Sequence, residues 1–420
     1  MIVIFKYSES TLFLGDNVGV CQKCGESLVG GALFCEKCGA KVGVAATAAP
    51  VYHKPAWKKP SIKFGGFKPG KMMTVSIILI VAIIVLAGGL VAVVTPLMTE
   101  PKITQTTTVA EYVMSCAYLN YADKDLGFYV AKTMIQNKGS VPITDYSISY
   151  KIEQYTTGWC PVHQYKEIVP GQTVVDYYYP SLLSTVLSLT TQSIVPLEVK
   201  WSYKSLSGKT YSDTTSYSLK ILGKNTFVYS SLPQSEMLGP SDWFSNKDLL
   251  VCFVTKNENV IKGHAINATG GLAAGYTDDN AKAAFNNVFD YLHDKGVKYI
   301  SPVSEFPSSS SDAHLAQYLM YPKDVIANTG GTCIETSICM ATMMEAVGVS
   351  TVIFLIPGHA IPGIILPQSG SIYPIESTAV GSTCSAADAN TNAVDTLNNA
   401  QWTLTVDVAA AWASGIVPPE

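Results

Sequence analysis

Residues 321–380 read YPKDVIANTGGTCIETSICMATMMEAVGVSTVIFLIPGHAIPGIILPQSGSIYPIESTAV. Gly330-Gly331 breaks the chain, and Thr332 is a natural helix cap. Ile334, Ile338, Ala341 and Val347 then recur at helical spacing until Gly348 stops the run. Cys333 therefore falls in the first turn of a helix, where unpaired backbone N–H groups and the helix dipole favour the thiolate over the thiol. Beyond Gly348, residues 349–356 form a buried strand, Pro357-Gly358 leads to His359, and residues 361–366 form a second strand. A turn at 367–370 returns the chain through 371–376. On that hairpin His359 and Glu376 are expected to lie roughly opposite each other, allowing for a bulge. A carboxylate there can orient an imidazole, and the imidazole can activate a thiol, which is the Cys/His/acid arrangement of nucleophilic catalysis.

Pro322, Gly331-Thr-Cys333, Pro357-Gly-His359-Ala and Ile375-Glu376-Ser-Thr378 resemble, in their usual order, the motifs of the transglutaminase-like superfamily. The resemblance covers about 240–420. It implies an α+β, papain-like fold with Cys333 as nucleophile, His359 as its base and Glu376 as the orienting acid, where the superfamily more often has Asp. Outside these motifs, Cys252, Cys339 and Cys384 read as packing or disulfide residues. His264, in Lys262-Gly-His264-Ala, has no acid motif after it, and His293 and His314 read as helix-surface residues. Residues 281–296 form an amphipathic helix with Ala284, Phe285, Val288, Phe289 and Leu292 on its apolar side, expected to pack on the hairpin.

Upstream, between 104 and 225, the composition shifts to Tyr, Ser, Thr and Val. Five alternating runs, starting near 127, 144, 172, 196 and 210, read as strands and suggest an immunoglobulin-like β-sandwich acting as a spacer. Cys116 and Cys160 lie within it, and spacing alone leaves their pairing open. Asn267-Ala-Thr269 is an N-glycosylation sequon.

Residues 75–94, VSIILIVAIIVLAGGLVAVV, contain no charge, Pro, Asn or Gln. As a helix they would span about 30 Å, the thickness of a bilayer core, so 74–95 is expected to cross a membrane. Lys54, Lys58, Lys59, Lys63, Lys68 and Lys71 precede it with no acid among them, which places the N-terminus in the cytoplasm and the C-terminus outside the cell. Residues 44–73 form a Lys-, Pro- and Gly-containing linker. Before it, Cys21-x-x-Cys24 and Cys35-x-x-Cys38, each followed by Gly, carry the spacing of a tetrahedral zinc site over 21–43. With four sulfur ligands the zinc is expected to be structural, and a cytoplasmic protein is a conceivable partner for the ribbon. Residues 1–20 match no motif.

Of 420 residues, 48% are hydrophobic and 14% charged, which excludes disorder over most of the length. All 28 basic residues are lysine. Without the bidentate fork of arginine, a nucleic-acid partner is not expected. The expected fold class is thus multidomain: a zinc ribbon, a single transmembrane helix, a β-sandwich and an α+β transglutaminase-like domain. The expected function is that of a membrane-anchored extracellular thiol enzyme, a cysteine peptidase or acyltransferase acting through a thioester on a peptide or protein substrate at the cell surface. The alternative is a catalytically inactive surface receptor for peptides, or an envelope scaffold.

Overall fold

A computed structural model of the chain describes Val85 and residues 100–270, 277–301, 307 and 316–419. Two compact units are delimited, Met1–Ile78 and Leu79–Glu420. The cysteines expected to bind zinc, Cys21, Cys24, Cys35 and Cys38, lie outside the described residues, and so does 74–95 apart from Val85. Two expectations are corrected here. The described fold is a mixed α/β arrangement of several sheets, without the zinc ribbon or the membrane helix of the expected fold class. Among the described residues no helix is long and apolar enough to cross a membrane, and no group of three or more His, Cys, Asp or Glu is placed to hold a metal ion. The expected placement across a membrane, with the C-terminus outside, is withdrawn on that finding.

Seven strands come first. A three-stranded antiparallel sheet has the order β1 (Ile103–Val109), β2 (Ala131–Asn137), β5 (Thr173–Tyr178). A four-stranded sheet has the order β4 (His163–Ile168), β3 (Ile143–Ile152), β6 (Ser193–Lys204), β7 (Thr210–Ile221). Alternation buries every second residue of β2, among them Ala131, Thr133 and Ile135. Tyr150 of β3 reaches from one sheet to the other: its hydroxyl donates to Asp176 of β5 (2.8 Å) and its ring stacks on Tyr178 at 4.7 Å. Strands β1 and β4 were not among the five runs legible in the sequence. Cys116 and Cys160 are free thiols, Cys116 being fully buried.

The remaining elements build the second half. Strand β8 (Thr226–Val228) pairs with β10 (Ala316–Tyr318). Helices α1 (Asn259–Thr269) and α2 (Asp278–Asp294) are followed by β9 (Lys298–Tyr299), α3 (Pro322–Ala327), β11 (Gly330–Gly331) and α4 (Cys333–Ala346). A four-stranded antiparallel sheet of order β14-β13-β12-β15 packs on α4; its strands are β12 (Thr351–Ile356), β13 (His359–Ile365), β14 (Ile372–Pro374) and β15 (Leu404–Asp407). Helices α5 (Ala386–Asn399) and α6 (Val408–Ala413) complete the chain.

Residues 333–345 of α4 are all buried, so this helix is the centre of the half rather than one of its faces. Helix α2 buries Ala284, Phe285, Val288, Phe289 and Leu292 as its periodicity predicts, but against α1 and α4 as well as β13. Asn267 lies on α1, and Thr269 is buried with its hydroxyl donating to the Ala265 carbonyl (3.0 Å), so the sequon lacks a free threonine hydroxyl.

Candidate active site

Cys333 is the first residue of α4 and is 2% exposed. The parallel pairing of β11 with β9, Gly331 opposite Tyr299, delivers the chain to this helix start. The approach is close at Gly330: a Cβ there would stand 2.5 Å from Cδ1 of Ile300 and 3.2 Å from the Lys298 carbonyl oxygen, so the Ile300 side chain would have to shift. Two residues after Cys333, the buried Glu335 carboxylate accepts the backbone N–H of Thr332 (2.7 Å) and of Met320 (2.7 Å). Its role is therefore larger than a favourable charge near the dipole. It pins the start of α4 to the loop between β10 and α3.

His359 opens β13. Its Nε2 lies 2.9 Å and 3.1 Å from the two carboxylate oxygens of Glu376. The register of β13 and β14, Gly363 opposite Pro374, would if extended oppose Glu376 to Ile361, so the hairpin alone does not make this contact. After Ile375 the chain leaves the ladder and enters a short 3-10 turn, Ser377–Ala379, which Glu376 itself caps. Oε1 of Glu376 accepts the Thr378 N–H (3.1 Å) and the Thr378 hydroxyl (2.6 Å), and that turn carries the carboxylate onto the imidazole. Since Nε2 is held by the acid, Nδ1 is the nitrogen left for the thiol, and Cys333 is near enough to His359 to help raise its pKa.

The electrostatics follow from this arrangement. Burial alone would depress the His359 pKa, but the hydrogen bonds to Cys333 and Glu376, and their charges, outweigh it and raise the value to about 10. Burial opposes ionisation of Glu376, whereas His359 and Thr378 favour it, and the net effect lowers its pKa. The site thus favours a charged imidazole held by the Glu376 carboxylate. Thr378 is the bond donor that keeps the carboxylate aimed.

The sequence-predicted residues Cys333, His359 and Glu376 are brought together. The other candidates are not. Cys339 is fully buried in the same helix, and burial pushes its thiol up to about 12. Cys252 is buried beside Asn120 Nδ2 (3.4 Å), and burial raises its pKa. His264 bonds the Tyr291 hydroxyl (2.8 Å), and His293 is exposed on α2. Cys384 is raised by burial and by the nearby Asp388 and Glu376 charges. His314 lies outside the described residues.

Two tyrosines near the thiol went unread in the sequence. Tyr299, 42% exposed, has its pKa raised by burial and by the Cys333 charge. Tyr229, fully buried, is raised by burial and also by Cys333, and its hydroxyl donates to Gln317 Oε1 at 2.6 Å. The Nε2 of that same glutamine is buried with no partner among the described residues. The pairing of β9 with β11 brings Tyr299 here, and nothing local in the sequence signals a two-residue parallel bridge.

No family model and no curated protein matches the chain. Among solved structures, it is similar to the solution structure of a protein described as late embryogenesis abundant (LEA), at 17% identity over 36% of this chain and 89% of that one, with a TM-score of 0.21. A likeness of that size carries no argument about either fold or chemistry.

Proposed function

We propose that the chain is a thiol enzyme of the transglutaminase-like kind, acting on amide or peptide bonds through Cys333, His359 and Glu376. One observation carries the reading: a buried cysteine at a helix start lies beside an imidazole whose Nε2 is held by a carboxylate at 2.9 Å. The Cys333 thiolate attacks the amide carbonyl carbon, forming a C–S bond and an oxyanion. The His359 imidazolium then gives its proton to the leaving amine as the C–N bond breaks, leaving a thioester. Water or a second amine attacks the thioester, the imidazole takes its proton, and the thiolate leaves to restore the ion pair. The oxyanion donor that the nucleophile itself brings is the backbone N–H of Cys333 at the start of α4.

Glu376 keeps the imidazole charged and pointed. Because the folded-state value of about 10 stands above the ordinary 6.5, the charged form contributes stability in full below pH 6.5, and that contribution is lost as the pH rises through 10. The 2% exposure of Cys333 favours a second reading, a peptide-binding protein of the same fold that does no chemistry. The two readings separate on thiol reactivity. The purified protein is treated with iodoacetamide at pH 6, and the peptide containing Cys333 is followed by mass spectrometry. The enzyme reading expects alkylation faster than that of free cysteine. A rate no faster than free cysteine favours the binding reading.

A further inference from the structure

Three polar residues of the buried core around α4 have been given no role so far: Thr336, Ser337 and Ser377, at 1%, 0% and 0% exposure. Thr336 lies one turn after Cys333 on α4, and Ser337 follows it. Ser377 follows Glu376. Their hydroxyls meet: Thr336 Oγ1 and Ser337 Oγ stand 3.0 Å and 3.1 Å from Ser377 Oγ, and Ser337 Oγ also lies 3.1 Å from the carbonyl oxygen of Ala360, the residue after His359. The helix that carries Cys333 therefore contributes two hydroxyls to a single buried cluster, and the segments that carry His359 and Glu376 contribute one group each.

We infer that Ser377 is a positioning residue, and that its hydroxyl, with those of Thr336 and Ser337, holds the three site-bearing segments in register. This rests on the reading of Cys333 as the nucleophile. Hydrogen counting supports it. Each hydroxyl has one hydrogen to donate and lone pairs to accept. Only one assignment places a hydrogen in all three contacts between segments: Thr336 donates to Ser377, Ser377 to Ser337, and Ser337 to the Ala360 carbonyl. Any reversal sets two lone pairs against each other in at least one contact. The bonds run from the cysteine helix to the acid segment, back to the same helix at Ser337, and from there to the histidine strand.

The same count says what removing one member does. Without the Ser377 hydroxyl, Thr336 still has the Thr332 carbonyl at 2.9 Å and the Cys333 carbonyl at 3.2 Å, and Ser337 still has Ala360. No buried donor is orphaned, so the fold persists while the link between α4 and the Glu376 segment is lost. A residue that only filled space would leave the chemistry of Cys333 untouched when shortened by one oxygen.

The test is the pH profile of Cys333 alkylation in the full chain, for the wild type, Ser377→Ala, Ser337→Ala and His359→Ala, with thermal unfolding measured alongside. We expect Ser377→Ala to melt cooperatively and to alkylate Cys333 about 10-fold to 100-fold more slowly at pH 6 than the wild type. Ser337→Ala should move the profile in the same direction, and it decides the matter if Ser377→Ala does not fold. Wild-type profiles in folded Ser377→Ala and Ser337→Ala, with His359→Ala still slow, would overturn the inference and leave the proposed function standing. A wild-type Cys333 that alkylates no faster than free cysteine and does not respond to His359→Ala would remove the proposed function, and the inference with it.

Discussion

Among the described residues there are two histidine–carboxylate pairs, one in each half, and one of them has a thiol beside it. In the C-terminal half His359 meets Glu376 at 2.9 Å through Nε2. In the seven-strand half His163 meets Asp176 at 3.0 Å through Nδ1. Both carboxylates also take hydroxyl donors: Glu376 from Thr378, and Asp176 from Tyr150 (2.8 Å) and Tyr165 (2.7 Å). The difference lies in what surrounds the pair. Tyr150, Tyr165 and His163 come from one sheet and Asp176 from the other, so that carboxylate is a cross-brace saturated by three donors. Cys160, the thiol nearest in sequence to His163, turns its sulfur to the Tyr150 N–H (3.2 Å) instead. An imidazole and a carboxylate at hydrogen-bond distance are therefore a structural unit. Reactivity needs the second imidazole nitrogen left for a nucleophile.

The largest expected effect breaks the first pair at its centre. His359→Ala should slow alkylation of Cys333 at pH 6 by about 10²-fold or more, since the thiolate loses its counter-cation and its proton partner. Kinetic labelling read by peptide mass spectrometry checks it, and an unchanged rate would place the two histidine pairs in the same structural class. Next in size is Glu376→Gln, which keeps the shape and removes the charge. His359 then lacks one of the two anions that hold it near 10, so the upper pH limit of Cys333 reactivity should move toward the ordinary imidazole value of 6.5. The rate at pH 8 should fall about 10-fold, because an opposite charge at such range is worth about 1–3 pKa units. A profile identical to wild type would mean that Glu376 only fills space.

Asp176→Ala is the counterpart in the other half and should do the opposite: lower stability and leave chemistry alone. It takes the acceptor from the buried Tyr150 hydroxyl, at a cost of about 1–3 kcal/mol for the lost partner. Tyr150 keeps one neighbour, Thr133 Oγ1 at 2.9 Å, which limits the loss. Urea unfolding should show a lower midpoint, while Cys333 alkylation in the folded variant stays within about twofold of wild type. A large change in alkylation would mean that the brace is coupled to the candidate site.

The two halves also differ in how much of them was legible. Helix α4, its Thr332 cap and its Gly348 stop follow from apolar spacing and turn residues, and so do β12 and β13. Cys333 and His359 could be placed because each stands at an element boundary with a local signature. Glu376 was legible as a candidate, and its contact with His359 was expected across the hairpin, but the route to that contact was not legible. The bond to His359 depends on a 3-10 turn that the glutamate caps with its own side chain, a feature with no periodicity. The hydroxyls of Thr336 and Ser337 meet Ser377 across 41 and 40 residues of chain, so in sequence they are only polar residues on a buried helix. In the seven-strand half, β4 carries His163, Lys166 and Glu167, and its membership of the sheet comes from pairing with β3 rather than from its own composition. Asp176 stands in its own strand as a single charge, and the three groups that hold it come from β3 and β4.

The smallest expected effect is the sharpest test of the comparison. His163→Gln exchanges the imidazole for an amide that can still donate to Asp176. The His163 side chain is 37% exposed, so water can satisfy whatever the amide does not. Tyr150 and Tyr165 continue to hold the carboxylate. Stability should therefore change by no more than about 0.5 kcal/mol, and Cys333 chemistry should not change. Two histidines at nearly equal distances from their acids would then differ by orders of magnitude in what their loss does to the thiol. A slower Cys333 in His163→Gln would contradict this, because it would show that proximity to a carboxylate, rather than the nucleophile at the other ring nitrogen, is what gives an imidazole of this chain its function.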